Sequence, residues 1–82
     1  MTGPQRLALQ LLADSDGMID THQMRLKMTL ATGKEWRYDR THSLLRRLDD
    51  YGWVLRRKPR DGSVSSWTIS NQGQSMLEAT LR

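Results

Sequence analysis

The 82-residue sequence contains no cysteine. This absence excludes a disulfide framework, thiolate metal sites and cysteine nucleophiles, and it weakly favours a reducing compartment. The length corresponds to one domain, 1–82, so we expect any function to lie on one compact scaffold. Without disulfides, such a small fold has to be held together by the packing of its apolar side chains.

Long apolar runs are also missing. No stretch approaches the roughly 20 apolar residues that a membrane helix needs. The run Leu7 to Ala13 is interrupted by Gln10 and followed by Asp14, so it lacks the continuous apolar region and cleavage site of a signal peptide. We therefore expect a cytoplasmic protein that does not associate with membranes.

Recognisable catalytic motifs are lacking as well. His22 and His42 lie on separate predicted elements, and no serine or acid is arranged as a partner for either. There is no glycine-rich loop that could hold a phosphate. We therefore expect a protein that is not an enzyme and has neither a cofactor nor a metal.

The charge is unevenly distributed. The formal net charge is +4, but residues 34–60 carry nine basic and four acidic residues, a net charge of +5. Residues 1–33 are neutral and residues 61–82 carry −1. A basic segment of this kind attracts a polyanion, most commonly a nucleic acid, although charge alone is equally consistent with a solvated, solubilising face.

Two helices are predicted in the first 33 residues. In the first, Pro4 suits the first turn, and the apolar residues that recur on one side are Leu7, Ala8, Leu11 and Leu12. The second begins at Asp20, which can form a capping box with Gln23, while Ile19 and Met24 are placed for a hydrophobic staple. Its apolar stripe consists of Met24, Met28 and Ala31, with Leu26 and Leu30 beside it.

A third helix is predicted near residues 36–50. Its inward face follows the i, i+3, i+4, i+7 pattern and comprises Thr41, Leu44, Leu45 and Leu48. The opposite face then contains Trp36, Arg40, Ser43 and Arg47, with Lys34 and Arg37 near the start of the helix. Asp39 and Arg46 flank this face, and for Arg46 a functional contact and a structural ion pair with Asp49 or Asp50 are equally consistent with the sequence.

The pattern becomes extended after Tyr51-Gly52. Residues 53–58 and 64–69 are β-prone and are separated by the turn sequence Pro59-Arg60-Asp61-Gly62, which predicts a β-hairpin with a basic strand. Trp53 and Trp67 are expected to pack against the core or between strands. A last helix should follow, capped by Asn71 and Gln74, with Met76, Leu77, Thr80 and Leu81 on one side.

This order, and the run Leu44 to Val54 in particular, resembles the winged helix-turn-helix DNA-binding superfamily. The run is similar to the end of the family's recognition helix, with leucines three apart, acidic residues, and then glycine and two apolar residues entering the wing. Residues 61–63 and 67–73 are similar to the wing tip, the return strand and the start of the next helix. The resemblance implies an α+β, mainly α fold, with a three-helix core, a β-hairpin wing and a short C-terminal helix.

The resemblance also implies a function as a duplex DNA-binding protein, such as a small transcriptional regulator or a mobile-element accessory factor. The third helix would enter the major groove, and the hairpin would contact a neighbouring minor groove or the backbone. The expected contacts are Lys34, Trp36, Arg37, Arg40, Ser43 and Arg47 on the helix side and Arg57, Lys58 and Arg60 on the hairpin. Arg40 and Arg47 are the expected readers of bases or phosphates.

The connection between the second and third helices departs from the family's usual tight turn because it is longer. Thr32 and Glu35 have capping-box spacing, which would make Lys34 helical, whereas Gly33 could instead end the second helix and leave Lys34 in a loop. The sequence leaves both alternatives open.

Other partners are also consistent with the sequence. A winged helix can dock a protein, in which case Trp36 and the basic hairpin would meet an acidic partner, or it can place a larger nucleic-acid enzyme on its substrate. A homodimer is a further alternative, with Leu77 and Leu81 of the last helix at its interface.

Overall fold

The computed structural model describes residues 1–80 of the chain. The elements are α1 (Gly3–Ala13), β1 (Ile19–Asp20), α2 (Thr21–Thr32), α3 (Tyr38–Asp50), β2 (Val54–Arg57), β3 (Ser66–Ile69) and α4 (Asn71–Thr80). The predicted order of three helices, a hairpin and a closing helix is confirmed, as is the mainly helical α+β class. Strand β1 was not predicted from the sequence, and Leu81 lies outside the described residues.

Capping boxes start the first two helices. The one predicted for α2 is confirmed, since Gln23 N donates to Asp20 Oδ1 at 2.7 Å and Asp20 N donates to Gln23 Oε1 at 3.1 Å. A second box precedes α1, where Gln5 N donates to Thr2 Oγ1 at 3.2 Å and Thr2 N donates to Gln5 Oε1 at 3.1 Å. Gly33 ends α2 with φ of 72°, a left-handed conformation that glycine adopts without strain.

The core lies where α1, α2 and α3 meet the sheet. Its apolar members are Ala8, Leu9, Leu12, Ile19, Met24, Met28, Trp36, Leu45, Leu48, Val54, Trp67 and Leu77. In α1, Ala8 and Leu12 are buried as predicted, but Leu9 is buried where Leu7 and Leu11 were expected. The two predicted leucines are only half-buried because the buried face of α1 is rotated toward Gln5 and Leu9.

Helix α2 buries a narrower stripe than its composition indicates. Met24 and Met28 are fully buried as predicted, whereas Ala31 is exposed, contrary to the expected stripe. Leu30 is 85% exposed and Leu26 is 52% exposed, so they lie away from the core. The last turn of α2 therefore projects past the core.

A three-stranded antiparallel sheet holds the hairpin to the helices. The strand order is β1-β3-β2, with Ile19 opposite Trp67 and Val54 opposite Ile69. Trp67 is fully buried, as predicted, and its Nε1 donates to Thr21 Oγ1 at 2.9 Å. Because β1 belongs to the connection between α1 and α2, this pairing joins the base of the hairpin to the helical part of the molecule.

Helix α4 is capped by Ser70 and not, as predicted, by Asn71. Gly73 N donates to Ser70 Oγ at 3.0 Å, while that hydroxyl donates to Gly52 O at 2.7 Å. Asn71 is already the first helical residue. Leu77 is only 3% exposed and packs in the core, so it is not available for the dimer interface considered from the sequence. Among residues 1–80, no helix has the length and apolar character to cross a bilayer.

Candidate nucleic-acid interface

Helix α3 presents its polar face to solvent. Thr41, Leu45 and Leu48 are fully buried, and Leu44 is half-buried. Arg40, Ser43 and Arg47 are exposed, as the helical periodicity predicted. The inward and outward faces of this helix are therefore those expected from the sequence.

The exposed face has a centre and two edges. Asp39, Ser43 and Asp50 lie near its centre, opposite the buried residues, and Arg46 and Arg47 lie on either side of that line. Arg40 and Arg47 lie at the edge that borders the start of α1. His42 lies at the other edge, where its Nε2 is 3.5 Å from an Arg56 guanidinium nitrogen of β2. Arg40 and Arg47, the expected readers of bases or phosphates, are thus on one side of the face, and Arg46 is on the other side.

Trp36 does not lie on this face, and its predicted outward position is wrong. It is 4% exposed and belongs to the core. The prediction extended the helical periodicity back to residue 36, but α3 begins at Tyr38, so residue 36 does not follow the helical repeat. Trp36 N donates to Thr29 Oγ1 at 3.0 Å and Nε1 donates to Thr32 Oγ1 at 3.2 Å, which fixes the connection against α2.

The connection between α2 and α3 is a loop of residues 33–37, as long as the sequence indicated. Gly33 ends α2, so the alternative in which Lys34 is helical is wrong, and Lys34 is exposed in the loop. Arg37 is the extended residue before α3, without a side-chain capping bond, and it is exposed. Both cations therefore lie in the connection that precedes α3.

The hairpin carries the second group of cations. Arg57, Lys58 and Arg60 are exposed, and Arg57 and Arg60 border a shallow depression with Pro59. At the tip, Ser63 N donates to Asp61 Oδ1 at 3.0 Å, and this bond lowers the pKa of Asp61 below its usual value. The predicted turn at residues 59–62 is thus stabilised by the aspartate within it.

Arg56 behaves differently from its basic neighbours. Its Nε donates to Ser65 Oγ at 3.1 Å, and its guanidinium carbon is 5.2 Å from the centre of the Trp67 ring. Strand alternation contains the signal for this position, because Arg56 is two residues from buried Val54 and lies on the same face. The structure makes Arg56 a link between the hairpin and α3.

His42 occupies the junction of α3 and the hairpin. Its ring stacks on Tyr38 at 5.7 Å and meets the edge of Trp67 at 5.9 Å between ring centres. Partial burial and the nearby Arg56 guanidinium lower the pKa of His42, and Arg46 and Lys58 act in the same direction while Asp39 opposes them. Cations from the helix and from the hairpin therefore converge on this point.

The stability of the protein should depend on the protonation of His42. Because the folded state lowers the pKa of this group, the unfolded chain binds the proton more readily. The free energy of unfolding is therefore expected to decrease as the pH falls from about 7.5 through 6.5 to about 5.5. Urea denaturation over this range measures the effect. His42→Asn should flatten the dependence, and an identical pH profile in the variant would contradict the assignment.

Within residues 1–80, no three histidine, aspartate or glutamate side chains come together as a metal site would require. The titratable groups of this face instead include both signs, with Asp39 and Asp50 exposed among the arginines of α3. The arrangement can bind an extended anion by charge and hydrogen bonds.

Several solved structures are similar to this chain. RosR from H. salinarum superimposes with a TM-score of 0.86 over 99% of this chain and 71% of its own, at 17% identity. A transcriptional regulator from Clostridium thermocellum gives 0.77 over 95% and 76%, at 14% identity. A protein from Pseudomonas aeruginosa, described as a probable transcriptional regulator, gives 0.73 over 99% and 56%, at 26% identity. No protein-family model and no curated protein matches the chain.

These similarities extend over nearly the whole chain and include the hairpin as well as the helices. At such low identity they establish the arrangement of the elements. The winged helix-turn-helix fold expected from the sequence is confirmed.

Proposed function

We propose that this winged helix is a single non-enzymatic domain that binds duplex DNA as part of transcriptional regulation. Helix α3 would lie in the major groove, and the hairpin would contact the adjacent backbone or minor groove. The observation that carries the proposal is the exposure of cations on two neighbouring elements, namely Arg40, Arg46 and Arg47 on α3 and Arg57, Lys58 and Arg60 on the hairpin. The descriptions of similar structures as transcriptional regulators agree with it.

The dimensions of the two elements suit a duplex. The major groove is about 12 Å wide and admits one α-helix. An exposed helix carrying arginines on both sides of its outward face can therefore place them against base edges and phosphates together. Each phosphate that a cation neutralises releases condensed counterions, which favours binding at low salt. The cations of the hairpin, beyond the edge of α3 that holds His42, extend this contact past the groove.

The acidic residues of α3 would restrict the orientations in which the helix can dock on DNA. Asp39 and Asp50 are exposed at opposite ends of the helix. A carboxylate close to a phosphate is repelled, so these residues disfavour docking modes that place either carboxylate itself on the backbone. Orientations in which the neighbouring arginines meet the phosphates are thereby favoured.

A protein partner with an acidic surface would use the same hairpin cations. The burial of Trp36 removes the aromatic anchor that this alternative relied on, since hot spots at protein interfaces are commonly exposed aromatic side chains. A role as accessory subunit of a larger enzyme would still place these cations on nucleic acid. DNA is therefore the partner that the exposed face favours.

A salt titration with random duplex DNA tests the proposal. The affinity of the wild-type chain should fall steeply between about 50 and 200 mM salt. Replacing Arg40 and Arg47 together by alanine should lower the log-log salt slope by about two and the affinity by on the order of 50-fold near 0.1 M salt. Fluorescence anisotropy with labelled duplex and single-stranded DNA provides the measurement.

The matched control removes the same charge elsewhere. Arg6 on α1 and Lys27 on α2 are exposed and lie outside α3 and the hairpin, so Arg6→Ala combined with Lys27→Ala should keep most of the affinity. Equal losses in the two double variants would show that only net charge matters. Absence of salt-dependent duplex binding by the wild-type chain would refute the proposal.

A further inference from the structure

Arg40 stacks on the ring of Trp36 at the side of α3 that faces α1. Its guanidinium carbon lies 3.9 Å from the centre of the Trp36 ring, which is a close stacking distance. The ring itself is fixed, because it is buried and its Nε1 donates to Thr32 Oγ1. An arginine on a fixed aromatic surface loses less conformational freedom on binding than a free one.

The stacked pair opens into a cleft of about 250 Å³ between α1 and α3. Its walls are Thr2, Pro4 and Gln5 from the start of α1, with Trp36, Arg40, Ser43, Leu44 and Arg47 from the other side. None of these described lining residues is acidic. By contrast, a neighbouring depression on α3 includes Asp50 beside Arg46 and Arg47.

Two guanidinium groups border this cleft from one edge of α3. Arg40 and Arg47 are seven residues apart, which is two helical turns or about 10 Å along the axis. Stacking covers one face of the Arg40 guanidinium and leaves the N–H groups around its rim free to donate. The cleft therefore combines two cations with the hydroxyl group of Ser43, and no carboxylate lines it among the described residues. Such surroundings suit an oxyanion.

We infer that this cleft receives a phosphate group of the DNA backbone, contacted by Arg40 and Arg47, and that Trp36 is the positioning residue for Arg40. The inference rests on the proposed function and separates its DNA contacts into those to the backbone and those to the bases. Arg40 contacts the backbone and carries no sequence information, while Arg46, on the other side of the exposed face of α3, reaches the base edges. The side of α3 next to α1 thereby contacts the backbone of one strand. The hairpin contacts the DNA backbone beyond the opposite side of α3.

Arg40→Met tests the phosphate contact. Methionine retains an unbranched apolar chain to cover Trp36 but removes the charge. Affinity should fall about tenfold near 0.1 M salt for specific and random duplexes alike, and the salt slope should decrease by about one. Arg46→Ala should instead reduce the difference in affinity between preferred and random sequences. A full loss of sequence preference in Arg40→Met would assign Arg40 to base reading and overturn the inference.

A double-mutant cycle tests the positioning role of Trp36. Trp36→Leu should weaken duplex binding several-fold while leaving the salt slope unchanged, because Arg40 is still present but no longer held. In the Arg40→Met background, the same change should have no further effect on affinity. Equal losses in both backgrounds would mean that Trp36 supports only the fold, and would overturn its positioning role.

Two further measurements show whether a loss of binding comes from misfolding of the Trp36→Leu variant. Far-ultraviolet circular dichroism and thermal unfolding show whether Trp36→Leu is folded, and Trp36→Phe, which keeps an aromatic surface, replaces it in the cycle if it is not. If the wild-type chain shows no salt-dependent binding to duplex DNA, the proposed function itself is refuted. If the wild-type chain binds, and Arg40→Met binds with the same affinity and the same salt slope, only the phosphate cleft is refuted.

Discussion

Replacing Arg57, Lys58 and Arg60 together by alanine is expected to reduce the affinity for duplex DNA on the order of 500-fold near 0.1 M salt. All three side chains are exposed on the hairpin. For each phosphate that the variant no longer neutralises, the log-log salt slope should decrease by about 0.9, so the total decrease should be nearly three. The reduction in affinity should be similar for all duplex sequences, since these side chains would bind the backbone.

Three basic residues on the first two helices provide the matched control. Arg6, Arg25 and Lys27 carry the same total charge, and none belongs to α3 or the hairpin. Their replacement by alanine should leave the salt slope close to that of the wild-type chain. Both triple variants should also unfold at urea concentrations close to the wild type, because all these side chains except half-buried Arg25 are exposed, and single surface substitutions rarely change the free energy of unfolding by more than about 0.5 kcal/mol. A hairpin variant that keeps its slope would exclude the hairpin from the interface.

Gly73→Ala is expected to destabilise the fold by about 3 kcal/mol or more. Gly73 is buried in α4, where a Cβ atom would overlap the carbonyl oxygen of Trp53 and press on Ile69. The obstruction is backbone, and it cannot move without breaking the hydrogen bond of 3.0 Å that Ser70 N donates to Trp53 O. Chemical denaturation of the purified variant measures the change in the free energy of unfolding.

Gly3→Ala is the control for this substitution. Gly3 is also helical, but no atom lies within 4 Å of the position that its Cβ would occupy. Since alanine is favoured over glycine in helices by up to about 1 kcal/mol, this variant should be as stable as the wild type or more so. Equal stabilities of the Gly73→Ala and Gly3→Ala variants would show that α4 does not pack as closely on Trp53 as the structure indicates.

Local signals in the sequence were sufficient for much of the fold. The capping box of Asp20 and Gln23, the inward face of α3 and the hairpin turn each depend on residues a few positions apart, and all three are confirmed. Such features are predictable because neighbouring residues satisfy them without help from the rest of the chain. They also place Arg40, Ser43 and Arg47 on the exposed face.

The features that sequence reasoning missed depend on distant contacts. Strand β1 has only two residues, too few to show alternation, and it exists because Ile19 pairs with Trp67. Trp36 was assigned outward by extending the helical repeat of α3, but hydrogen bonds to Thr29 and Thr32 of α2 turn it into the core. In neither case do the adjacent residues reveal the partner.

The apolar residues of α2 show a further limit to predicting burial from the sequence. Leu26 and Leu30 are the same residue type as buried Leu9, yet they are exposed. Hydrophobicity alone predicts a tendency to be buried, whereas the actual exposure depends on which neighbouring elements reach that part of the helix. The Ser70 cap was missed for a related reason, since its hydroxyl is also committed to Gly52 in the preceding turn.

The pairing of β1 with β3 limits how the hairpin can move. Ser65 is 7% exposed, its carbonyl accepts bonds from both Thr21 N and Thr21 Oγ1, and its hydroxyl accepts one from Arg56. These bonds fix the base of the hairpin to the start of α2, so the hairpin and the helices would meet a duplex as one rigid unit. A duplex of unsuitable groove width would have to deform before α3 and the hairpin could contact it together. Easily deformed sequences would then be preferred even at base pairs that no side chain reaches.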